Sequence, residues 1–200
     1  MISKMQANEL SFLCGLDEAG RGPLAGPVCA AAVILPENFP IEILNDSKKL
    51  SASAREKAKI IICREALGWG IGWASPFEID EINILKASLL AMKRAFTAMT
   101  VSNPEAYTNV HAVVDGLFVP DIPVPCEAVV KADSIYPAVM AASILAKTAR
   151  DRLMEYYGLF YPEYGYEKHK GYPTKAHREA IQQWGISPIQ RMTFNWRGKL

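Results

Sequence analysis

The chain has 200 residues, of which 50% are hydrophobic and 22% charged, proportions close to the average for globular proteins. This composition excludes a disordered, collagen-like or coiled-coil chain, and the length suits one mid-sized domain. Lys and Arg (22) nearly balance Asp and Glu (21), so the total charge indicates no particular partner.

Short apolar runs alternate along the chain with longer amphipathic segments, which predicts strands separated by helices. Ser51 and Ser53 are candidate N-caps of the first helix, and Gly68 is its expected stop. Ser134 is expected to cap a long helix that tolerates Pro137 in its first turn. In chain order we predict strands over 12–17 and 28–35, a helix to about residue 67, a strand over 69–74, a helix over 77–100, strands over 112–116 and 127–130, and helices over 134–157 and 174–184.

This order of elements indicates one α/β domain built on a mixed sheet. The four cysteines form no C-x-x-C pair, so we expect small buried side chains in a reducing compartment rather than a zinc site. The apolar run over 22–36 is short and broken by proline and glycine, and the N-terminus lacks the features of a signal peptide. The sequence therefore predicts a soluble cytoplasmic protein.

Acidic residues stand at the ends of predicted strands. Asp17 and Glu18 end the first strand, Asp115 ends a later one, and Asp133 lies where a strand meets a helix. Ligands of α/β sheets gather at the carboxyl ends of strands, so acids from separate strands can converge there. Carboxylates without histidine or cysteine are the ligands of Mg²⁺ or Mn²⁺. Each acid alone could equally be a helix cap, a turn former or a surface charge.

Asp17 and Glu18 raise a geometric difficulty, because adjacent strand residues point to opposite faces of a sheet. We expect both side chains to reach one site only if the strand ends or bulges beside them. Gly20 and Gly22 make such a break plausible.

Two segments in the first half offer contacts for phosphate. Gly20, Arg21 and Gly22 combine unobstructed backbone N–H groups with a guanidinium, which suits a phosphodiester, although a tight turn is the alternative. Lys48 and Lys49 precede a helix and could bind phosphate, or could simply lie in a solvated loop.

The last third of the chain is basic, with ten Lys or Arg and five Asp or Glu over residues 140–200. Such a surface could attract a polyanion, or be an ordinary solvated helix surface. Lys147 and Arg150 lie three residues apart on the long helix. Lys170 and Tyr172 combine a cation with an aromatic ring suited to stacking on a sugar or base.

Taken together, these segments resemble a known family. Residues 15–28, GLDEAGRGPLAGPV, closely resemble the opening of type 2 ribonuclease H, also called ribonuclease HII. The family's other motifs follow in order at 46–51, 115–116, 131–133, 141–147 and 169–172, so the resemblance runs from about residue 11 to about residue 197.

The resemblance implies a ribonuclease H-like fold, with a mixed sheet flanked by helices and a helical C-terminal extension. A single domain is expected over residues 11–200, with a catalytic core over about 11–157 and the extension over about 158–200. The implied activity is endonucleolytic cleavage of RNA paired with DNA, together with incision 5′ of a single ribonucleotide embedded in duplex DNA. The products would carry a 5′-phosphate and a 3′-hydroxyl. A monomer that binds no membrane is expected, with its repair partners left open.

The resemblance also implies a role for each candidate residue. The family's metal-binding, catalytic acids, which would hold two Mg²⁺ or Mn²⁺ ions, match Asp17, Glu18, Asp115 and Asp133. The 2′-hydroxyl at the RNA–DNA junction would be read by the loop Gly20, Arg21 and Gly22, with Tyr172 packed on the following deoxyribose. Further contacts to nucleic acid are expected from Lys48, Lys49, Lys147 and Lys170.

Two departures from the family's pattern occur near the end of the chain. Residues 190–194, QRMTF, stand where the family often has a His-Arg-Arg-Ser-Phe-like run, and Pro173 stands where glycine is frequent. Phosphate contacts are therefore not carried over to this tail. A non-catalytic nucleic-acid-binding relative and a phosphotransferase of small phosphate esters are the alternatives, and the complete set of acids favours the nuclease.

Overall fold

A computed structural model describes residues 12–44, 50–101 and 109–196. Within these ranges the chain forms β1 (Phe12–Ala19), β2 (Val28–Ile34), α1 (Ala52–Glu65), β3 (Gly68–Ala74), α2 (Pro76–Thr100), β4 (Val110–Asp115), β5 (Cys126–Val129), α3 (Pro137–Phe160), α4 (Tyr166–His169) and α5 (Lys175–Trp184). Short 3₁₀ helices lie at Ile41–Ile43, Ala132–Ser134 and Pro162–Tyr164. Helix α2 is interrupted at Asn83, whose φ of 67° is not helical.

The strands form one mixed sheet in the order β3-β2-β1-β4-β5. Strand β1 is antiparallel to β2 and parallel to β4, while β3 is antiparallel to β2 and β5 is parallel to β4. The pairing of β1 with β4 stops at Leu16, whereas its pairing with β2 continues to Ala19. The carboxyl end of β1 is therefore open on the side of β4, and this end carries Asp17 and Glu18.

Helices cover both faces of the sheet, which confirms the predicted α/β architecture. All seven residues of β2 are buried. Ala30 and Ala32 pack in the core that contains α2, whereas Ala31 and Val33 pack in the core that contains α1 and α3. Burial on both faces explains why this strand is a continuous apolar run rather than an alternation of polar and apolar residues.

Helix α3 lies directly on β1. A Cβ atom at Gly15 would be only 2.1 Å from the carbonyl carbon of Ala138, so only glycine permits this approach of strand and helix. The close contact brings the N-terminal part of α3, including Ser143, beside the end of β1 that carries Asp17.

The capping predictions are right at Ser51 and wrong at Gly68 and Ser134. Ser51 accepts a hydrogen bond from the Ala54 amide at 3.2 Å. Gly68 does not stop α1, because α1 has already ended at Glu65 and Gly68 opens β3 opposite Ile34. Ser134 belongs to a 3₁₀ turn and its hydroxyl donates to the Lys131 carbonyl, so α3 begins only at Pro137, without a side-chain cap.

The C-terminal segment packs back on the sheet domain through a third core, which includes Leu24, Met154, Tyr166 and Ile181. Helix α3 runs past the predicted core boundary near residue 157, to Phe160, so that division stays a prediction. Among the described residues, no helix combines the length and apolar character needed to cross a membrane.

Candidate metal and nucleic-acid site

Three carboxylates converge at the carboxyl ends of the parallel strands. Asp17 lies on β1, Asp115 ends β4, and Asp133 lies in the 3₁₀ turn that follows β5. Each offers a carboxylate oxygen, and the three oxygens lie within 4.8 Å of one another. Because β1, β4 and β5 run in the same direction, their ends bring together residues that are far apart in sequence.

Asp17 is the most buried carboxylate of the site, with 6% of its surface exposed. Its Oδ1 accepts a hydrogen bond from the Glu18 amide at 2.7 Å, and its side chain also bonds to Ser143 of α3. Burial, followed by repulsion from Glu18 and Asp115, raises the pKa of the Asp17 carboxyl well above its usual value.

Glu18 lies on the other face of β1, toward α2, and does not belong to the three-carboxylate cluster. Strand β1 neither ends nor bulges at this pair, since its register with β2 is regular to Ala19, so the expected break is wrong. Glu18 and Asp17 both line the same cleft, at the end of β1 where the strand no longer pairs with β4. Burial raises the pKa of the Glu18 carboxyl, although Arg21 Nη1 lies 3.5 Å from its Oε1.

Asp115 joins two of the elements that form the site. Its Oδ1 accepts a hydrogen bond from the Ala132 amide at 2.9 Å, which ties the end of β4 to the turn that carries Asp133. Asp115 therefore contributes to the cluster and also holds the turn that positions Asp133.

The cluster fits a hard divalent cation. All of its donors are carboxylate oxygens, the ligands that Mg²⁺ and Mn²⁺ prefer. Asp17 is buried among other acids, so its ionised form is unfavourable without a compensating positive charge. The residues that could hold the ion are Asp17, Asp115 and Asp133, with Glu18 on the adjacent face.

A cleft of about 470 Å³ is lined by the acids Asp17, Glu18 and Asp115. The predicted loop Gly20, Arg21 and Gly22 forms one side of it. Tyr172 lies next to this loop, since a Cβ atom at Gly22 would be 3.5 Å from its ring. Lys147 also lines the cleft, and its Nζ atom is 5.9 Å from the centroid of the Tyr172 ring. Lys147 also forms an ion pair with Asp151 at 2.8 Å.

Of the other predicted lysines, Lys170 is described by the structure and does not line this cleft. Lys170 lines a neighbouring groove, where its ammonium contacts Glu155 at 2.9 Å. The structure therefore places Lys170 beside the groove rather than in the cleft, and its contact with nucleic acid stays a prediction. Lys48 and Lys49 lie outside the described residues.

Two residues of the cleft were missed from the sequence. Arg55 of α1 lines both the cleft and the neighbouring groove, and Ser143 of α3 hydrogen bonds to Asp17. A signal did exist for Ser143, because its spacing of four from Lys147 places both on one helix face.

Two buried arginines hold the longer loop over residues 20–27, which begins with Gly20, Arg21 and Gly22 at the side of the cleft. Arg150, 1% exposed, donates to the carbonyls of Ala25, Pro27 and Lys170. Arg150 therefore does not belong to the outer surface of α3, which was the alternative interpretation. Arg191, fully buried, donates to other carbonyls of the same loop. Burial and the nearby Arg150 lower the pKa of Arg191 to about 9.

Comparison with known proteins agrees with the geometry of the site. The sequence model of the family described as ribonuclease HII matches residues 14–197. The chain belongs to the ribonuclease HII family. Ribonuclease HII of Treponema denticola is 56% identical over 193 residues, which cover 92% of this chain and 98% of that protein. The protein is thus a metal-dependent nuclease, an endoribonuclease that acts on RNA–DNA hybrids.

Solved structures confirm the ribonuclease H-like fold. The ribonuclease H2 of Pyrococcus horikoshii superposes with a TM-score of 0.71 at 27% identity, over 92% of this chain and 94% of that one. The ribonuclease HII of Archaeoglobus fulgidus, solved in complex with PCNA, superposes with a TM-score of 0.72 at 28% identity, over 94% of this chain and 98% of that one.

Proposed function

We propose that this nuclease incises duplex DNA on the 5′ side of a single embedded ribonucleotide, as well as cutting the RNA strand of hybrids. The observation that carries the proposal is that the loop over 20–22 and the neighbouring Tyr172 line the same cleft as the acids Asp17, Glu18 and Asp115. A nucleotide seated over the acids would contact both.

We assign the chemistry to Asp17, Glu18, Asp115 and Asp133. The convergence of three of these acids and the raised pKa values of Asp17 and Glu18 support a site that is completed by Mg²⁺ or Mn²⁺. Two such cations, when bound, would activate water and stabilise the leaving 3′ oxygen, giving a 5′-phosphate and a 3′-hydroxyl. Ser143 and the Ala132 amide would keep Asp17 and Asp115 in place.

Selection of the ribonucleotide is assigned to Gly20, Arg21, Gly22 and Tyr172. The 2′-hydroxyl is the group that distinguishes the two kinds of sugar, and backbone groups at the edge of the cleft can hydrogen bond to it. Tyr172 is 41% exposed, which supports its packing on the next deoxyribose. Lys147, beside this ring, would bind a backbone phosphate, and the same role is proposed for Lys48, Lys49 and Lys170.

Domain organisation and assembly complete the proposal. We infer a single domain over residues 11–200 that acts as a monomer on hybrid and ribonucleotide-containing duplexes. The shared core that includes Leu24 of the loop region and Ile181 of α5 supports one folding unit.

The test is cleavage of an end-labelled DNA duplex that contains one ribonucleotide, with Mg²⁺, Mn²⁺ or a chelator. The proposal predicts a metal-dependent cut 5′ of the ribonucleotide, a 3′-hydroxyl on the upstream fragment, and an intact all-DNA control. Cleavage of a uniform hybrid without cleavage of this duplex would overturn the junction-specific part alone.

A further inference from the structure

All three guanidinium nitrogens of Arg191 donate hydrogen bonds to backbone carbonyls of the loop beside the cleft. Its Nη2 donates to Gly20 O at 2.6 Å, its Nη1 to Arg21 O at 3.0 Å, and its Nε to Gly26 O at 2.8 Å. The side chain is fully buried. Burying a guanidinium is costly unless its N–H donors are satisfied. These hydrogen bonds therefore stabilise the buried position of Arg191.

The backbone fixes Arg191 to the same loop. Its amide donates to Leu24 O at 2.9 Å, and Ala25 pairs with Gln190 in an isolated bridge. The guanidinium also lies 5.1 Å from the Phe194 ring centroid. The tail is thus anchored on both sides of Arg191, and the side chain has a defined direction toward the loop.

The planarity of the peptide bond gives this contact a consequence for the cleft. In a trans peptide, the C=O and the following N–H point in opposite directions. The carbonyls of Gly20 and Arg21 face Arg191, so the amides of Arg21 and Gly22 face away from it. Gly20, Arg21 and Gly22 line the cleft and Arg191 does not, so these two N–H groups are on the side of the loop that faces away from Arg191.

We propose that Arg191 is a positioning residue, which orients the Arg21 and Gly22 amides toward the sugar of the scissile ribonucleotide. This inference rests on the proposed incision at single ribonucleotides and extends it to a residue outside the cleft. Only a planar fork with donors in fixed directions can bind three carbonyls in this way, and an ammonium cannot reproduce it.

Arg191→Lys tests the proposal, because it keeps the positive charge and removes the fork. The matched control is Arg178→Lys, since Arg178 donates to the carbonyls of Asn195 and Trp196, in the same tail but away from the loop. Single-turnover cleavage of the ribonucleotide duplex is measured at saturating enzyme, where an unfolded fraction does not alter the rate. Affinity for an all-DNA duplex is measured alongside.

We expect Arg191→Lys to lower the cleavage rate about 10- to 100-fold, with all-DNA affinity within about threefold of the wild type. Arg178→Lys should stay within about twofold in both. An unchanged cleavage rate in a folded Arg191→Lys variant overturns the positioning role. If the wild-type protein itself leaves the ribonucleotide duplex uncut, the proposed function fails instead, so the two failures are distinguishable.

A second measurement uses the wild-type protein and needs no variant to fold. With Ca²⁺ in place of the catalytic ion, amide NMR signals are compared on addition of a ribonucleotide duplex and of the all-DNA duplex. The Arg21 and Gly22 signals should differ between the two complexes, whereas those at the end of α1, over residues 62–65, should not. Identical Arg21 and Gly22 signals in both complexes would overturn the assigned orientation.

Discussion

Gly20 packs directly against the guanidinium of Arg150. A Cβ atom at Gly20 would lie 1.9 Å from Arg150 Nε, and the backbone there has a φ of +98°. A contact within the protein therefore requires glycine at position 20. Arg150, which an alanine at position 20 would displace, lies on α3 and donates to the carbonyls of Ala25, Pro27 and Lys170.

Gly20→Ala should destabilise the protein, because it combines a clash with a buried side chain and a strained φ. We expect the free energy of unfolding to fall by roughly 2–4 kcal/mol in urea denaturation. Gly22→Ala is the matched control for stability, since its Cβ would meet only the Tyr172 ring, at 3.5 Å. Equal stabilities of the two variants would contradict the packing described for Gly20.

Asp115→Asn should abolish cleavage and leave hybrid binding largely intact. The asparagine oxygen can still accept from the Ala132 amide, so the turn that carries Asp133 keeps its position while the site loses a negative charge. We expect the rate to fall by about 10³-fold or more, measured in single turnover. Asp121→Asn serves as control, because Asp121 is an exposed acid paired with Lys93. Turnover near the wild-type rate would remove Asp115 from the metal site.

Tyr172→Ala should impair cutting at a lone ribonucleotide more than it weakens overall duplex affinity. The ring lies beside the cleft, whereas affinity comes mainly from contacts to phosphates. We expect about a 10-fold or greater loss in cleavage rate and a near-normal dissociation constant, with Tyr172→Phe close to the wild type. Equal losses in rate and affinity would count against a role in reading the junction.

Acid should destabilise the segment that carries Tyr172. His177 is fully buried, its Nδ1 lies 3.0 Å from the Tyr172 carbonyl oxygen, and its ring stacks on His169 at 4.5 Å. Burial, with a smaller contribution from His169, lowers the pKa of His177 from 6.5 to about 4. The neutral ring is the folded form, so its stabilising contribution is complete above pH 6.5 and is lost as the pH falls toward 4.

The measurement is the free energy of unfolding of wild type and His177→Gln between pH 7 and pH 4. The stability difference between them should shrink by about 3 kcal/mol across this range. Taking the difference removes the contributions of Asp17 and Glu18, whose raised pKa values act in the opposite direction. A difference that does not change with pH would show that His177 is protonated equally in the folded and unfolded states.

The sequence predicts the sheet domain and the acids at strand ends because both depend on local pattern. Apolar runs define the strands, and an acid followed by glycine marks where β4 stops, as at Asp115. Because the carboxyl ends of parallel strands lie at the same edge of the sheet, such acids can be predicted to converge without predicting the loops. It is harder to predict that Asp17 and Glu18, on opposite faces of β1, both line the cleft. That outcome depends on where the pairing of β1 with β4 stops.

The roles of Arg150 and Arg191 could not be predicted from local pattern. Arg191 reaches a carbonyl 171 residues earlier in the chain, and Arg150 reaches carbonyls up to 125 residues away. Both bind main-chain carbonyl oxygens, which every residue has, so no residue type in the sequence marks these contacts. Lys170 is a related case, since only the fold reveals that Glu155 pairs with its ammonium.

The most direct test of the metal site is a crystal structure of the protein grown with Mn²⁺ and an uncleaved ribonucleotide duplex, read by anomalous scattering. We predict Mn²⁺ peaks about 2 Å from carboxylate oxygens of Asp17, Asp115 and Asp133, with the phosphate 5′ of the ribonucleotide beside them. Peaks at other residues, with the duplex bound and this carboxylate cluster empty, would contradict the assignment of the catalytic centre.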